Sequence, residues 1–146
     1  MILHTIYSVN LWLGEQLMSA GPVAFTEYEE LQLPGYRVVW GREREARVNP
    51  RGVLSGARFT VYCVASGTEA HVSRRLATVL TAVLRQAERS GFSIPRYRYP
   101  REENEEPLDH IAIRDVSDRP VFLPAHPELA VHAVEATAIT LNPPVS

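Results

Sequence analysis

Hydrophobic and polar positions change period several times along this chain, and each change marks an element. From residue 2 to residue 20, Ile2, Ile6, Leu13 and Leu17 fall on one helical face, with Val9 near it, and Gly21-Pro22 closes the run. The spacing predicts a first helix, although Ile2, Ile6, Tyr7 and Val9 would also suit a strand. Gly14 weakens the helix by about 1 kcal/mol relative to Ala. Val23, Ala24 and Phe25 read as a short strand, and Leu33-Pro34-Gly35 as a turn. The period then becomes two. Tyr36-Arg37-Val38-Val39-Trp40 is a strand of high propensity. Its partner over residues 58–65 places Phe59, Val61, Cys63 and Ala65 on one face, the expected core face.

Between those strands the chain turns polar. Glu43, Arg44, Glu45 and Arg47 are too charged for a core, and Asn49-Pro50-Arg51-Gly52 has turn chemistry. Residues 36–65 are therefore predicted to form one long hairpin whose outer part, residues 41–57, projects as an arm. With Gly52 and Gly56 inside it, the register of the arm is weakly fixed. Such an arm is expected to be mobile by itself and to gain order against another chain. A domain that spends residues on a projection uses it on a neighbour.

A helix is predicted over residues 68–90. Ser66 with Glu69 fits a capping box, Thr68 offers another cap, and Gly91 supplies the stop. Val72, Leu76, Val79, Leu80, Val83 and Ala87 repeat at spacings of three and four and build an apolar stripe, while Arg74, Arg75, Thr78, Arg85 and Arg89 lie off it. Tyr97 and Tyr99 alternate with Arg96 and Arg98, as in an edge strand. A polar loop follows with Glu102, Glu103, Glu105 and Glu106. Ile111 and Ile113 mark another strand, Val121-Phe122-Leu123 a short apolar run, and residues 130–141 a long final strand. In that strand Glu135 falls on the same face as Val131, Ala133 and Ile139, so the alternation is imperfect. The tail, residues 142–146, holds two prolines and is expected to fray.

These elements give a single α+β domain over residues 1–146. Its mixed or antiparallel sheet, with a long projecting β-hairpin, packs against one long amphipathic helix and an N-terminal helix. The 146 residues suffice for a proper core. A net charge of −2 gives no reason to expect nucleic acid or an acidic membrane as partner. All fifteen basic residues are Arg, which fits either interface contacts or genomic base composition. Residues 1–13 are apolar but include His4 and Asn10 and lack a basic start, which makes a poor signal peptide and too short a span. A protein that stays in the cytoplasm where it is made is expected.

Candidate chemistry is sparse. Cys63 lies in an apolar strand and reads as a small buried hydrophobe. The glutamates at 102–106 crowd one loop without the spaced ligands of a metal cage. Asp109-His110 could be half of an acid–base pair, but no nucleophile stands in a strained-turn motif. His71, His126 and His132 are not spaced for a metal. The Arg-Tyr-Arg-Tyr run at 96–99 could hold a single strand of nucleic acid, yet acidic residues follow it at once. No catalytic, cofactor or metal residue is assigned.

The order of elements resembles the tail terminator (tail completion) proteins of long-tailed bacteriophages. Pro22-Val23-Ala24-Phe25, Tyr36-Arg37-Val38-Val39-Trp40 and residues 58–84 carry the likeness, with a strand-to-helix step through Val64-Ala65-Ser66-Gly67-Thr68-Glu69 and a closing Glu135-Ala136-Thr137-Ala138-Ile139-Thr140. The acidic loop and residues 118–127 go beyond the simplest family pattern. The resemblance implies a non-enzymatic virion protein, assembled in the host cytoplasm and without a cofactor. It would form a ring, usually of six copies, on the head-proximal end of the tail tube. The ring stops tube growth and docks the neck proteins of the head. Its implied partners are further copies of itself, the major tail tube protein and a head-side neck protein, with neither membrane nor sequence-specific nucleic acid. Arg44, Arg47 and Arg51 are the candidate interface residues. Other readings remain open: a head-closure or head–tail joining protein, an unspecified α+β interaction module, or a small enzyme or ligand-binding domain using Asp109, His110 and the glutamates.

Overall fold

A computed structural model describes residues 2–26, 28–49 and 52–142. Helix α1 spans Ile2–Leu17 and strand β1 Val23–Ala24. The hairpin is β2, Gly35–Asn49, and β3, Gly52–Ser66. Helix α2, Ala70–Arg89, leads to β4, Ile94–Arg96, then β5, Asp109–Val121, and β6, Leu129–Asn142. The strands form one mixed sheet in the order β1-β2-β3-β6-β5-β4, parallel only between β1 and β2. The fold is α+β, with two helices packed on a six-stranded curled sheet.

Both helices cover the same face. Val9, Leu13 and Leu17 of α1 and Leu76, Leu80 and Leu84 of α2 join Tyr36, Phe59, Val61, Cys63, Ile113 and Val134 in one buried cluster. The sheet side of this core is the alternating set expected in β3: Phe59, Val61, Cys63 and Ala65 are all buried. Each large aliphatic side chain in it contributes roughly 1.5–3 kcal/mol. The Tyr36 hydroxyl is buried with the rest and donates to the Leu76 carbonyl at 2.9 Å, so its polar atom is not stranded.

Several local expectations need correction. In α1, Ile2 and Ile6 are only half-buried, whereas Thr5 and Ser8 are buried. The cause is the chain after β4, which lies along this helix: Tyr97 N–H donates to Ser8 Oγ at 2.8 Å and Tyr99 N–H to His4 Nδ1 at 3.0 Å. Polar side chains face inward there because they satisfy backbone donors. That packing also ends the edge strand at Arg96, so Tyr97 and Tyr99 are not part of it. The capping box at Ser66 and Glu69 does not form. Ser66 is the last residue of β3, opposite Leu129, and Glu69 occupies the cap position without a side-chain hydrogen bond. The buried band of α2 is rotated toward Ser73, Ala77 and Leu84, which leaves Val79 38% exposed and Val83 half-buried. Gly91 ends the helix as expected, at φ +69°.

Candidate interaction surface

The hairpin extends far beyond the part that meets the helices. Pairing between β2 and β3 runs from Gly35↔Val64 to Asn49↔Gly52, with bulges between Trp40 and Glu43 and between Glu45 and Arg47. Trp40 marks the root of the arm. Its indole N–H donates to Asn10 Oδ1 of α1 at 2.9 Å, and its ring lies 4.8 Å from that of Phe59. The arm is not a bare two-stranded ribbon. Strand β6 runs beside β3 along its whole length, ending at Leu54↔Leu141 and Val53↔Asn142. The final strand was expected over residues 130–141, but its place beside the arm was not, because the arm lies more than seventy residues away in sequence.

The other side of the arm is open. Strand β1 touches β2 only at Tyr36 and Arg37. Among the described residues, no strand lies beside β2 over positions 38–49. An unpaired run of backbone donors and acceptors is a template for a strand from another chain. The opposite edge is better guarded: beyond its pairing with β4, strand β5 carries a bulge with Asp115 at φ 56°, and Pro120 near its end.

The sheet face turned away from both helices is also apolar at one end. Tyr62 and Val64 of β3 stand beside Ala133 and Val131 of β6, and Val121 of β5 continues the row. Leu31 and Leu33, before β2, and Leu123 and Leu129 wall this area into a groove of about 560 Å³. Two arginines line it. Arg37 donates to the carbonyls of Thr26 and Glu29. Arg119 reaches Glu135 at 3.4 Å, and Arg58 meets the same carboxylate at 3.0 Å. The hydrogen bond from Arg58, aided by Arg119, holds the Glu135 carboxyl below its usual range. Glu135 thus breaks the alternation of β6 because it sits on the outer face between two cations. The core face of that strand is Val134, Ala136 and Ala138.

The candidate interface arginines fall on the arm. Arg44 is opposite Gly56 and Arg47 opposite Leu54; Arg51 lies outside the described residues, as do positions 143–146 of the tail. The groove was not anticipated from the sequence. Its signal was present in the apolar residues on both faces of β3 and β6.

Several of the chemical candidates are engaged in structural contacts. Asp109 is held in a two-pronged pair by Arg96, at 2.6 and 2.7 Å, which raises the guanidinium pKa. His110 is exposed. Glu105 pairs with Arg98 at 3.1 Å and accepts from Glu102 N–H, so the acidic loop is tied to the Arg-Tyr run. Arg101 lies 3.7 Å over the Tyr97 ring. His132 and Asp118 are 3.0 Å apart, as are His126 and Glu128. Burial pushes the Cys63 thiol up to about 12, which keeps it protonated and unreactive at neutral pH. Among the described residues, no cluster of three or more His, Cys, Asp or Glu could hold a metal ion, and no helix is long and apolar enough to cross a membrane.

No family model matches the chain, and no curated protein matches it. Among solved structures, a chain described as "Virion of native gene transfer agent (GTA) particle" aligns with a TM-score of 0.48 at 14% identity, covering 89% of this chain and 84% of the other. A likeness at that level is too partial to argue from.

Proposed function

We propose that this chain is a structural protein of a phage-like virion, a tail terminator that assembles with copies of itself into a ring on the tail tube. The observation that carries the reading is the long β2–β3 extension with its outer edge unpaired over positions 38–49. A strand edge of that length invites aggregation unless another chain covers it. In a ring, each arm lies on the next subunit, and no copy keeps a free edge. The order of elements that resembles tail terminators supports the same assignment. The partly similar chain named above comes from a virion, the class of particle proposed here; its TM-score lends the proposal no weight. On this reading the partners are the tail tube protein on one side of the ring and a head-side neck protein on the other. Arg44, Arg47 and Arg51 meet the neighbouring copy or the tube.

Excision of residues 44–54 tests the assembly step. It removes only two rungs from the β3–β6 ladder, Val53↔Asn142 and Leu54↔Leu141, so the body is expected to fold and remain monomeric. An oligomer unchanged on size-exclusion chromatography would overturn the role of the arm. Omission of the protein from particle assembly tests the function. Tubes of unregulated length, unattached to heads, are expected. Tails of normal length beside leaking heads would point instead to head closure.

A further inference from the structure

We infer that the groove on the outer sheet face, lined by Tyr62, Val64, Val121 and Val131, is the receptor for the arm tip of a second copy of this chain. The inference rests on the self-assembly reading above and names the surface that the arm meets. Three observations point to it.

The first is position. Groove and arm tip occupy opposite ends of one strand. Val64 and Val53 are about 36 Å apart along β3 at about 3.3 Å per residue, so an arm cannot reach the groove of its own molecule. A tip on one end and a receptor on the other make a head-to-tail contact, the kind that closes rings.

The second is charge. Residues 41–57 hold four arginines against two glutamates, a net of two positive charges, so the rest of the chain carries a net of four negative ones. Glu29 and Glu30 flank the groove before Leu31, and Glu128 flanks it before Leu129. The two arginines that line the groove are already engaged, Arg37 by backbone carbonyls and Arg119 by Glu135. Glu29 accepts from Phe25 N–H and Glu128 meets His126 at 3.0 Å, both at the surface, so the rim presents three carboxylates that a basic visitor can share.

The third is the apolar match. Behind the terminal rung, Asn49↔Gly52, come Val48↔Val53 and Arg47↔Leu54, and Leu54 stands opposite Leu141, which is 40% exposed. An arm with aliphatic residues just behind its turn and arginines near them in sequence fits an apolar trough with a glutamate rim. Burial of the aliphatic residues supplies affinity and the charges fix register.

The test uses two full-length variants and their mixture, sized by light scattering. The arm variant is Arg44→Glu/Arg47→Glu/Arg51→Glu. The groove variant is Leu33→Arg/Val121→Arg, at an exposed and a half-buried position, with circular dichroism confirming the fold. Each is expected to be monomeric alone, because each lacks one half of the contact. Mixed, they form a 1:1 heterodimer and nothing larger, since the sound arm of one fills the sound groove of the other. Leu33→Arg alone, at a site 46% exposed, weakens assembly at least tenfold and serves if the double variant does not fold. A groove variant that forms the wild-type oligomer, or a mixture that stays monomeric, overturns the groove as receptor while self-assembly stands. Wild-type protein that is monomeric at every concentration overturns the self-assembly reading, and this inference with it.

Discussion

Glu135 shows how the outer face tolerates charge. Its carboxylate is shared by Arg58 and Arg119, and the three side chains are 25%, 45% and 56% exposed. Partial exposure screens the attraction, so Glu135→Gln is expected to cost only about 0.5–1 kcal/mol at pH 7. The sign with pH follows from the lowered folded-state pKa. The stabilisation is fully present above the ordinary carboxylate pKa and fades as pH falls through the depressed value. Urea unfolding at pH 7 should separate the two proteins; at pH 3 the gap should shrink. An equal gap at both values would mean that Gln perturbs packing rather than charge. Thr81 gives the opposite sign. Its hydroxyl is buried and lacks a hydrogen-bond partner among the described residues. Thr81→Val removes the unpaired group at nearly constant volume, and should raise stability by about 1 kcal/mol in the same assay. A sequence does not disclose either residue. Glu135 looks like a flaw in a strand until its two arginines, one on β3 and one on β5, are brought beside it. Cys63 and its three alternating neighbours were legible because a one-sided apolar strand needs no knowledge of its partner.

At the scale of elements, the joint between β3 and α2 is a point of close approach. A Cβ on Gly67 would stand 2.4 Å from the Pro127 carbonyl oxygen and 3.1 Å from the Glu128 carbonyl carbon. Gly67 N–H also donates to Glu128 at 2.7 Å, which ties this turn to the loop before β6. Gly67→Ala must push that loop away and is expected to cost about 1–3 kcal/mol by thermal melting. Gly91→Ala should cost about 1 kcal/mol for a different reason. Nothing lies within 4 Å of a Cβ there, and the strain comes from φ +69° alone. No measurable cost at Gly67 would show that the loop before β6 gives way freely to a Cβ. This comparison also explains which helix signals could be read. Gly91 acts through its own backbone, so the stop of α2 is visible in the sequence. The apparent capping box failed because Ser66 was already committed to pairing with Leu129, a competition set by tertiary structure. The rotation of α2 toward Ser73 and Leu84 is of the same kind. Its apolar stripe is wide enough for several orientations, and the sheet selects one.

For the whole molecule, the decisive asymmetry is two helices on one face of a sheet whose other face is also apolar at one end. Strands apolar on both sides ordinarily lie between two layers, and here the described residues supply only one. On the reading proposed above, a second copy covers the apolar end of that face, and charge favours it. A basic arm and an acidic body attract head to tail, whereas two arms or two bodies repel. This arrangement predicts how assembly responds to salt. The Debye length falls from about 10 Å at 0.1 M to about 3 Å at 1 M. Contacts between exposed Arg and Glu lose most of their strength over that range. Two or three such pairs, at roughly 0.2–1 kcal/mol each, make the subunit contact about tenfold weaker in 1 M sodium chloride. Ammonium sulfate at equal ionic strength should weaken it less, because sulfate strengthens burial of the aliphatic tip while it screens the charges. Sedimentation velocity across both salts measures the two contributions separately. Identical weakening in both would leave the groove without an apolar role. Tighter assembly in sodium chloride would mean that like charges, not opposite ones, face each other between subunits.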